Sequence, residues 1–171
     1  MRDIEVDTSL LADSMRTHIA GLLSSRGDEV DWERILAPFN IEASLFVGDW
    51  DAVEDTLNVP ELEGPEAAFG RVLCSIKAGD EAQVEKAFYE AREQLGGPIV
   101  AAGRESYRRV YDSVVHLHVL DELKTIHRSH STSSPSTQLV KTLQDRLNST
   151  SPSFRAREPI LNLRRTAFRL A

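Results

Sequence analysis

The feature that most constrains the fold is a short motif that occurs twice, 31 residues apart. Gly48, Asp49, Val53 and Glu54 return as Gly79, Asp80, Val84 and Glu85. Each copy follows an apolar run and precedes another. Glycine adopts a positive φ without steric cost and so ends a helix, and aspartate then caps the free N–H groups of the next helix. The motif predicts two helix–turn–helix hairpins, with turns at Gly48, Asp49, Trp50 and at Gly79, Asp80, near the roughly 34-residue period of tetratricopeptide-type arrays.

Composition indicates a soluble globular chain of 171 residues, 41% of them apolar and 27% charged. No apolar run approaches the roughly 18 residues of a membrane helix, and the N-terminal residues 1–5 are not typical of a secretory signal. Cys74 is the only cysteine, which excludes an internal disulfide and fits a reducing compartment. Its apolar neighbours predict a buried structural thiol.

The charges divide unevenly along the chain. Residues 1–100 hold 8 Lys and Arg against 21 Asp and Glu, a net charge of −13, whereas residues 101–171 hold 12 against 6, a net charge of +6. This asymmetry suggests neighbours of opposite sign, although ordinary solvated helix faces would also account for it.

Helical periodicity predicts an all-α fold built from antiparallel hairpins, as a single segment over residues 1–171. A first helix is expected after Asp7 or Thr8, and Asp31 caps a second segment that Pro38 should break. A helix over residues 40–46 leads into the first Gly-Asp turn, and a short helix over residues 50–57 follows it. The first helix has the apolar stripe Leu11, Met15, Ile19, Leu22 and Leu23.

Pro65 is expected to open the next helix, and Gly96, Gly97 and Pro98 are expected to end the helix that follows the second turn. The faces of these two helices are Phe69, Val72, Leu73 and Ile76, then Val84, Ala87, Phe88, Ala91 and Leu95. The longest helix is predicted over residues 99–127. A helix that is apolar on two sides packs between two neighbours, and we expect this one to be central. Its core face is Tyr107, Val110, Tyr111, Val114 and Leu117, and its second flank is Val119, Leu120 and Leu123.

A flexible serine-rich loop is predicted near residues 128–136, because this stretch is too polar to bury. Two amphipathic helices follow it. Their apolar residues are Leu139, Val140, Leu143 and Leu147, then Ile160, Leu161, Leu163, Phe168 and Leu170.

The sequence predicts no catalytic, cofactor-binding or metal-binding residues. It has no Gly-rich phosphate loop and none of the catalytic signatures of protein kinases. His18, His127 and His130 show no metal-ligand spacing, and His116 and His118 would point about 200° apart on a helix. The histidines are therefore interpreted as polar or half-buried helix residues.

Five arginines near the C-terminus allow two interpretations. They could bind phosphate, for which bidentate arginine is suited, or they could form salt bridges with an acidic neighbouring repeat. Aromatic residues do not alternate with them and Glu158 lies among them, which favours salt bridges over direct nucleic-acid binding. The five are Arg155, Arg157, Arg164, Arg165 and Arg169.

Residues 153–165 resemble a segment of the FAT domain of the phosphatidylinositol 3-kinase-related kinases. The family pattern is roughly Ser, aromatic, Arg, x, Lys or Arg, then Glu-Pro-Ile-Leu-x-Leu-Arg-Arg, and the chain matches each fixed position. The matching positions include Arg155, Arg157, Glu158, Pro159, Leu161, Leu163, Arg164 and Arg165. Residues 111–123 and 42–51 show weaker resemblances to the long helix and the Trp-Asp turn of the family. Within the family, the ATR-type DNA-damage checkpoint kinases of fungi resemble the chain most.

The resemblance implies a tetratricopeptide-like α-solenoid that braces a serine/threonine kinase domain in the nucleus and performs no phosphoryl transfer itself. The implied partners are the kinase domain, neighbouring helical repeats and other proteins, with no nucleic acid, membrane or metal bound directly. Because a FAT domain is several times longer, we expect a fragment of a larger kinase, and a solenoid cut from its neighbours should leave Leu161, Leu163 and Phe168 partly uncovered.

Pro159 is expected in the first turn of the last helix, with Glu158 against the free N–H groups of that turn. This arrangement would fix the entry angle of the helix. The alternatives to a kinase scaffold are a free-standing tetratricopeptide-like adaptor that binds peptides, a nucleic-acid binder that uses the basic third of the chain, and an independent enzyme.

Overall fold

The computed structural model describes residues 31–101, 107–129 and 137–170, together with Thr17. Within these ranges it has seven α-helices and no strand, which confirms the all-α prediction. They are α1 Trp32–Val47, α2 Trp50–Leu57, α3 Pro65–Ala78, α4 Glu81–Ala101, α5 Tyr107–Ser129, α6 Thr137–Ser149 and α7 Phe154–Leu170. Thr17 is helical, and the rest of the helix predicted near it lies outside the described residues.

The chain divides into two compact units, residues 1–62 and residues 63–171. In the first unit α1 packs against α2. The fully buried side chains of this unit include Ala37 and Ile41 of α1 and Val53 of α2, and Leu62 at the end of the unit is 4% exposed. The prediction of one continuous segment over residues 1–171 stays a prediction.

Both Gly-Asp steps lie at turns between helices and have the same local geometry. Gly48 ends α1 with φ 89° and Gly79 ends α3 with φ 77°, both in the left-handed region. Asp49 Oδ1 then accepts a hydrogen bond from the Ala52 amide at 3.1 Å, and Asp80 Oδ1 accepts the equivalent bond from the Gln83 amide at 3.4 Å and a second one from the Ala82 amide at 3.0 Å. The repeated residues therefore perform the same two tasks twice.

In the second unit α3 and α4 form a hairpin through the Gly79–Asp80 turn, and α5 packs against α3, α4 and α7. This confirms the central position predicted for the long helix. Pro65 is the first residue of α3, as expected. The nine apolar residues predicted for the faces of α3 and α4, from Phe69 to Leu95, are all buried.

Two predicted helix ends are wrong because proline did not end the helix. Pro38 lies inside α1, and α4 continues through Gly96, Gly97 and Pro98 to Ala101. An interior proline removes one backbone hydrogen bond and costs about 3 kcal/mol. Ala37 precedes Pro38 in the sequence and Ile41 follows it, and both side chains are fully buried. Their burial offsets that cost in α1.

The predicted extent and core face of the long helix also need correction. Ile99 belongs to α4, and α5 runs from Tyr107 to Ser129, so the first two residues of the predicted loop are helical. The rest of that loop and the Tyr107 side chain lie outside the described part. Val114 is 37% exposed, and the predicted second flank, extended by Ile126, is the buried face instead: Val119, Leu120, Leu123 and Ile126.

The predicted apolar residues of α6 are buried with one exception, whereas only Ile160 of the five predicted for α7 is buried. Leu161 is 47% exposed, and the other three are half-buried: Leu163, Phe168 and Leu170. In α6, Leu139, Leu143 and Leu147 are buried, whereas Val140 is 55% exposed. In α7, the helix begins at Phe154, five residues before Pro159, because Ser153 Oγ accepts a hydrogen bond from the Ala156 amide at 3.2 Å. The position predicted for Pro159, in the first turn, is therefore wrong. Cys74 in α3 is only half-buried.

The two kinds of glycine give a matched stability test. Gly79→Ala should lower the free energy of unfolding by about 1–2 kcal/mol, because alanine is strained at positive φ. Gly96→Ala, inside α4 with nothing within 4 Å of an added Cβ, should instead raise it by up to about 1 kcal/mol. Urea unfolding followed by circular dichroism measures both, and equal effects of the two variants would contradict the left-handed turn.

Candidate functional site: the junction of the central and final helices

The central and final helices are joined by a buried ion pair between Glu122 of α5 and Arg164 of α7. Arg164 Nε donates to Glu122 Oε2 and Arg164 Nη2 donates to Glu122 Oε1, both at 2.8 Å. The Arg164 side chain is 9% exposed and the Glu122 side chain 3%. Two parallel charge-assisted bonds fix both the distance and the plane of the two groups. The pair therefore sets how α7 lies on α5.

Helical periodicity places both charges on apolar faces. Glu122 lies between Val119 and Ile126, and Arg164 lies between Ile160 and Ala167, all four of which are buried. These neighbours are three or four residues away, which is the spacing of one helix face. Packing of the two apolar faces therefore carries the two charges into the interior together.

Three further bonds hold α6 and the α6–α7 turn against the same junction. Arg146 of α6 pairs with Asp121 of α5 at 2.9 Å. The Ser151 amide donates to the Tyr111 hydroxyl at 3.4 Å, and Arg157 Nη2 donates to the Thr150 carbonyl at 3.1 Å. Arg157 Nε is buried and has no hydrogen-bond partner. The turn before α7 is thus tied to α5 on one side and to α7 on the other.

A cavity of about 350 Å³ opens beside the ion pair, between α5, the end of α6 and α7. Its walls include Val114, Val115 and Ile160, with Arg146 and His118 among the polar groups. This volume is at the lower end of small-molecule sites. The two arginines among the described residues of its wall, Arg146 and Arg164, are already paired with Asp121 and Glu122.

The contact between α4 and α5 also pairs acids with bases. Glu85 of α4 accepts hydrogen bonds from Lys124 Nζ at 2.6 Å and Arg128 Nη2 at 3.1 Å, and Glu81 lies 3.1 Å from His127 Nε2. The hydrogen bond from Lys124 is the main cause of a lowered pKa at Glu85. Lys124 Nζ also lies 5.4 Å from the centre of the Phe88 ring. An acidic helix here lies on a basic one.

His116 and His118 occupy different environments, in agreement with the predicted angle between them. His116 is half-buried, and its ring meets the ring of Phe69 edge to face with centroids 6.0 Å apart. Burial lowers the pKa of His116 although Glu66 and Asp112 act to raise it. His118 is exposed.

The structure distributes the residues of the C-terminal motif over several surfaces of α7. Arg164 is buried in the ion pair, Leu163 and Arg157 are half-buried, and Arg155, Leu161 and Arg165 are exposed. Glu158 accepts a hydrogen bond from Asn162 within α7, and both Glu158 and Pro159 lie beyond the first turn. The interaction predicted between Glu158 and the free N–H groups of the helix start is therefore wrong. Trp50, at the first turn, is the first residue of α2.

Sequence reasoning missed Glu122 as the partner of Arg164. Salt bridges were expected between these arginines and an acidic neighbouring repeat, but Glu122 belongs to the basic part of the chain. A signal was present, since Glu122 interrupts the apolar flank of Val119, Leu120 and Leu123, and Arg164 interrupts that of Ile160 and Ala167. A carboxylate and a guanidinium that each interrupt an apolar face are candidates for pairing with one another.

The described part of the chain holds no group of three or more His, Cys, Asp or Glu side chains that could bind one metal ion. Among the described helices, none is long and apolar enough to cross a membrane. The arrangement at the junction can hold helices in fixed positions, which is a mechanical task.

Comparison with protein families matches residues 37–171 to the FAT domain. The chain is 29% identical to serine/threonine-protein kinase ATR of Arabidopsis thaliana over 177 residues, which is 91% of this chain and 6% of the relative. It is 27% identical to ATR of Oryza sativa subsp. indica over 77% of the chain and 6% of the relative. It is 24% identical to serine/threonine-protein kinase TOR2 of Saccharomyces cerevisiae over 55% of the chain and 4% of the relative.

These ATR relatives are plant proteins, where the sequence motif had indicated fungal forms. The resemblance to the FAT domain is confirmed. The chain spans about 6% of the length of the ATR relatives. No solved structure matches the chain.

Removing one partner of the buried pair should destabilise the chain strongly. Arg164→Ala should lower the free energy of unfolding by about 3–5 kcal/mol, because Glu122 would stay buried without a partner. The control is Arg146→Ala, which breaks the half-exposed pair with Asp121 and should cost less than about 1 kcal/mol. Chemical denaturation of the two variants measures the difference, and similar losses would contradict the special position of the buried pair.

Stability should fall as the pH is lowered through the range in which His116 ionises when unfolded. Burial lowers the pKa of His116 in the folded chain below its ordinary value of about 6.5. Between the two pKa values the unfolded chain binds more protons than the folded chain. The stability that the neutral, buried His116 contributes is therefore present above about pH 6.5 and is lost as the pH falls below it. His116→Phe should flatten the melting temperature between pH 7.5 and pH 5.5. His118→Gln is the control and should keep the original slope, and an unchanged slope in His116→Phe would refute the assignment.

Proposed function

This chain belongs to the FAT domain family, and we propose that it is a non-catalytic helical scaffold segment of an ATR-like serine/threonine protein kinase. The kinase would act in DNA-damage checkpoint signalling and DNA repair in the nucleus. The observation that carries the proposal is the FAT match over residues 37–171, together with ATR relatives that the chain covers only in part.

The geometry supports a scaffold because the contacts of the second unit fix helices relative to one another. Three neighbours, α3, α4 and α7, meet on α5, and the ion pair between Glu122 and Arg164 sets the position of α7. Helices locked in this way transmit a displacement of one element to the others, since packed interiors are close to incompressible. Such a segment could support a kinase domain and relay a signal to it.

The proposed partners are the kinase domain, neighbouring helical repeats and further proteins. Exposed apolar residues support this, because they mark faces suited to other polypeptides. In the first unit Ile35 and Phe39 of α1 are 50% and 61% exposed, and in the second unit Leu161 of α7 is 47% exposed. No finding favours the free-standing adaptor that the sequence left open.

Phosphoryl transfer is assigned to a kinase domain outside these residues. The kinase signatures are missing from the sequence of this chain. In the proposed protein, residues 1–171 would neither bind nucleotide nor contact the reacting phosphate, and their effect on catalysis would pass through the position of the kinase domain.

Immunoprecipitation tests the proposal directly. An antibody raised against residues 137–170 is used on an extract of the source cells, and the captured protein is sized, identified by peptide mass spectrometry and assayed for serine/threonine kinase activity. We expect a polypeptide many times larger than the 19.1 kDa of this chain, with kinase activity. A captured protein of about the chain's own size and without kinase activity would contradict the proposal.

The junction should matter for the activity of that polypeptide. Introduced into the full-length kinase, Arg164→Ala should lower kinase activity, because the unpaired Glu122 would leave α7 without a fixed position on α5. Arg146→Ala should keep most of the activity. Kinase assays at equal protein levels check this, and full activity with Arg164→Ala would show that α7 does not position the kinase domain.

A further inference from the structure

The turn between α6 and α7 contains a serine that is followed by proline. Residues 151–155 form an unbroken exposed run, and Pro152 comes directly after Ser151. Two of the seven prolines in the sequence follow a serine, namely Pro152 and Pro135, and Pro135 lies outside the described residues. Ser151 is therefore the only serine or threonine before a proline in the described part of the chain.

The Ser151 hydroxyl differs from the three other hydroxyl groups of this stretch. Ser149 and Thr150 each donate to the backbone carbonyl four residues earlier, at 3.0 and 3.1 Å, and Ser153 Oγ accepts a hydrogen bond from an amide of α7 at 3.2 Å. Ser151 uses its main chain instead. Its amide donates to the Tyr111 hydroxyl, and its carbonyl accepts from the Ser153 amide at 2.8 Å. Within the described ranges the Ser151 hydroxyl makes no hydrogen bond, so it is available to react.

A guanidinium group lies beside this serine. Arg157 Nη2 donates to the carbonyl of Thr150, the residue before Ser151, at 3.1 Å. Arg157 Nε is buried and has no hydrogen-bond partner. A buried N–H group without an acceptor is rare in native structures, whereas arginine and phosphate form strong charge-assisted bonds. Arg157 is therefore placed to bind a phosphate on the neighbouring residue.

The part of the chain around this turn is basic. Residues 145–165 hold five arginines against Asp145 and Glu158, a net charge of +3. Two of the arginines, Arg146 and Arg164, are paired with acids of α5, and Glu158 accepts a hydrogen bond within α7. A doubly negative group on the turn would lie in a field of opposite sign, which favours its charged form.

From these observations we propose that Ser151 is a phosphorylation site for a proline-directed serine/threonine kinase, and that Arg157 holds the phosphate beside the turn. In the transfer, Ser151 Oγ forms a bond to the γ-phosphorus of ATP. The bond from that phosphorus to the β–γ bridging oxygen breaks, so that ADP leaves, and the hydroxyl proton passes to a carboxylate base of the modifying kinase. The phosphoserine carries a charge of about −1.5 to −2 and three strong acceptor oxygens.

The phosphate would strengthen the connection between the turn and α7. That connection now includes the bond between Arg157 and the Thr150 carbonyl, and a contact between guanidinium and phosphate is stronger than a bond to a neutral carbonyl. Further repeats of the same polypeptide leave such a turn accessible, because stacked repeats meet through their helices and their turns lie at the edge of the array. The inference goes beyond the proposed scaffold function and does not depend on it.

Phosphorylation of the full 171-residue chain tests whether Ser151 is the acceptor. The starting protein is Ser134→Ala, which leaves Ser151 as the only serine before a proline. It is incubated with ATP and a purified cyclin-dependent kinase or, separately, a mitogen-activated protein kinase. Mass spectrometry of the intact chain and of its fragments should find one added phosphate, on Ser151. A further Ser151→Ala change should abolish the modification, whereas Ser149→Ala, at a neighbouring exposed serine, should not affect it.

Phosphorus NMR tests whether Arg157 holds the phosphate. The second pKa of phosphoserine, about 6 in an unfolded chain, is read from the phosphorus chemical shift as the pH is varied, both in the folded chain and in urea. We expect the folded value to be at least about 0.5 pH units lower, because the guanidinium favours the dianion. Arg157→Gln should remove most of this difference and Arg157→Lys should keep most of it. Arg169→Gln, at an exposed arginine near the end of α7, is the control and should not change it.

The same contact should raise the melting temperature of the chain by about 2–4 °C, and Arg157→Gln should cancel most of that gain. Three results would each overturn the proposal: no phosphate under conditions that fully modify a control Ser-Pro peptide, a phosphate confined to Ser149 or Ser153, or a pKa difference that Arg157→Gln leaves unchanged. All three concern this turn alone, so any of them would leave the scaffold function, which immunoprecipitation tests, standing.

Discussion

The bidentate ion pair between Glu122 and Arg164 is the contact on which the second unit depends. Taking a carboxylate and a guanidinium out of water costs several kcal/mol for each ion, and the cost is recovered only when both charges meet in good geometry. A displacement of α7 along α5 would separate the Glu122 carboxylate from the Arg164 guanidinium and leave both charges buried and unpaired. The pair therefore gives a sharp preference for one register, whereas apolar packing alone tolerates small slips.

The rest of the second unit follows from that register. With α7 in place, the α6–α7 turn lies where Ser151 reaches Tyr111 and Arg157 reaches the Thr150 carbonyl. On the other side, α4 meets α5 through an apolar seam with Glu85 at its edge, held by Lys124. A scaffold needs helices in fixed relative positions more than it needs high stability, because its task is to place other elements. The FAT match and the mechanical character of the junction thus agree.

Local signals predicted much of the fold. The Gly-Asp turns and the buried faces of α3 and α4 depend on neighbouring residues alone, through backbone conformation and helical spacing. The failures involve competition between local and distant effects. Pro38 was expected to end a helix, but burial of its neighbours allows the helix to continue through it. Pro159 was expected in the first turn of the last helix, but Ser153 caps that helix and makes it begin earlier. Glu122 could not be paired with Arg164 from spacing, because a separation of 42 positions along the chain carries no information on which helices meet.

Native-state hydrogen exchange of α5 and α7 tests the central claim most directly. If the ion pair locks α7 onto α5, the amides of Val119–Ile126 and of Ile160–Ala167 should exchange with the same opening free energy, and both should respond equally to denaturant. In Arg164→Ala the amides of α7 should then exchange at a lower free energy than those of α5. If, in the unmodified chain, the amides of α7 exchanged with an opening free energy well below that of the α5 amides, the result would contradict the account.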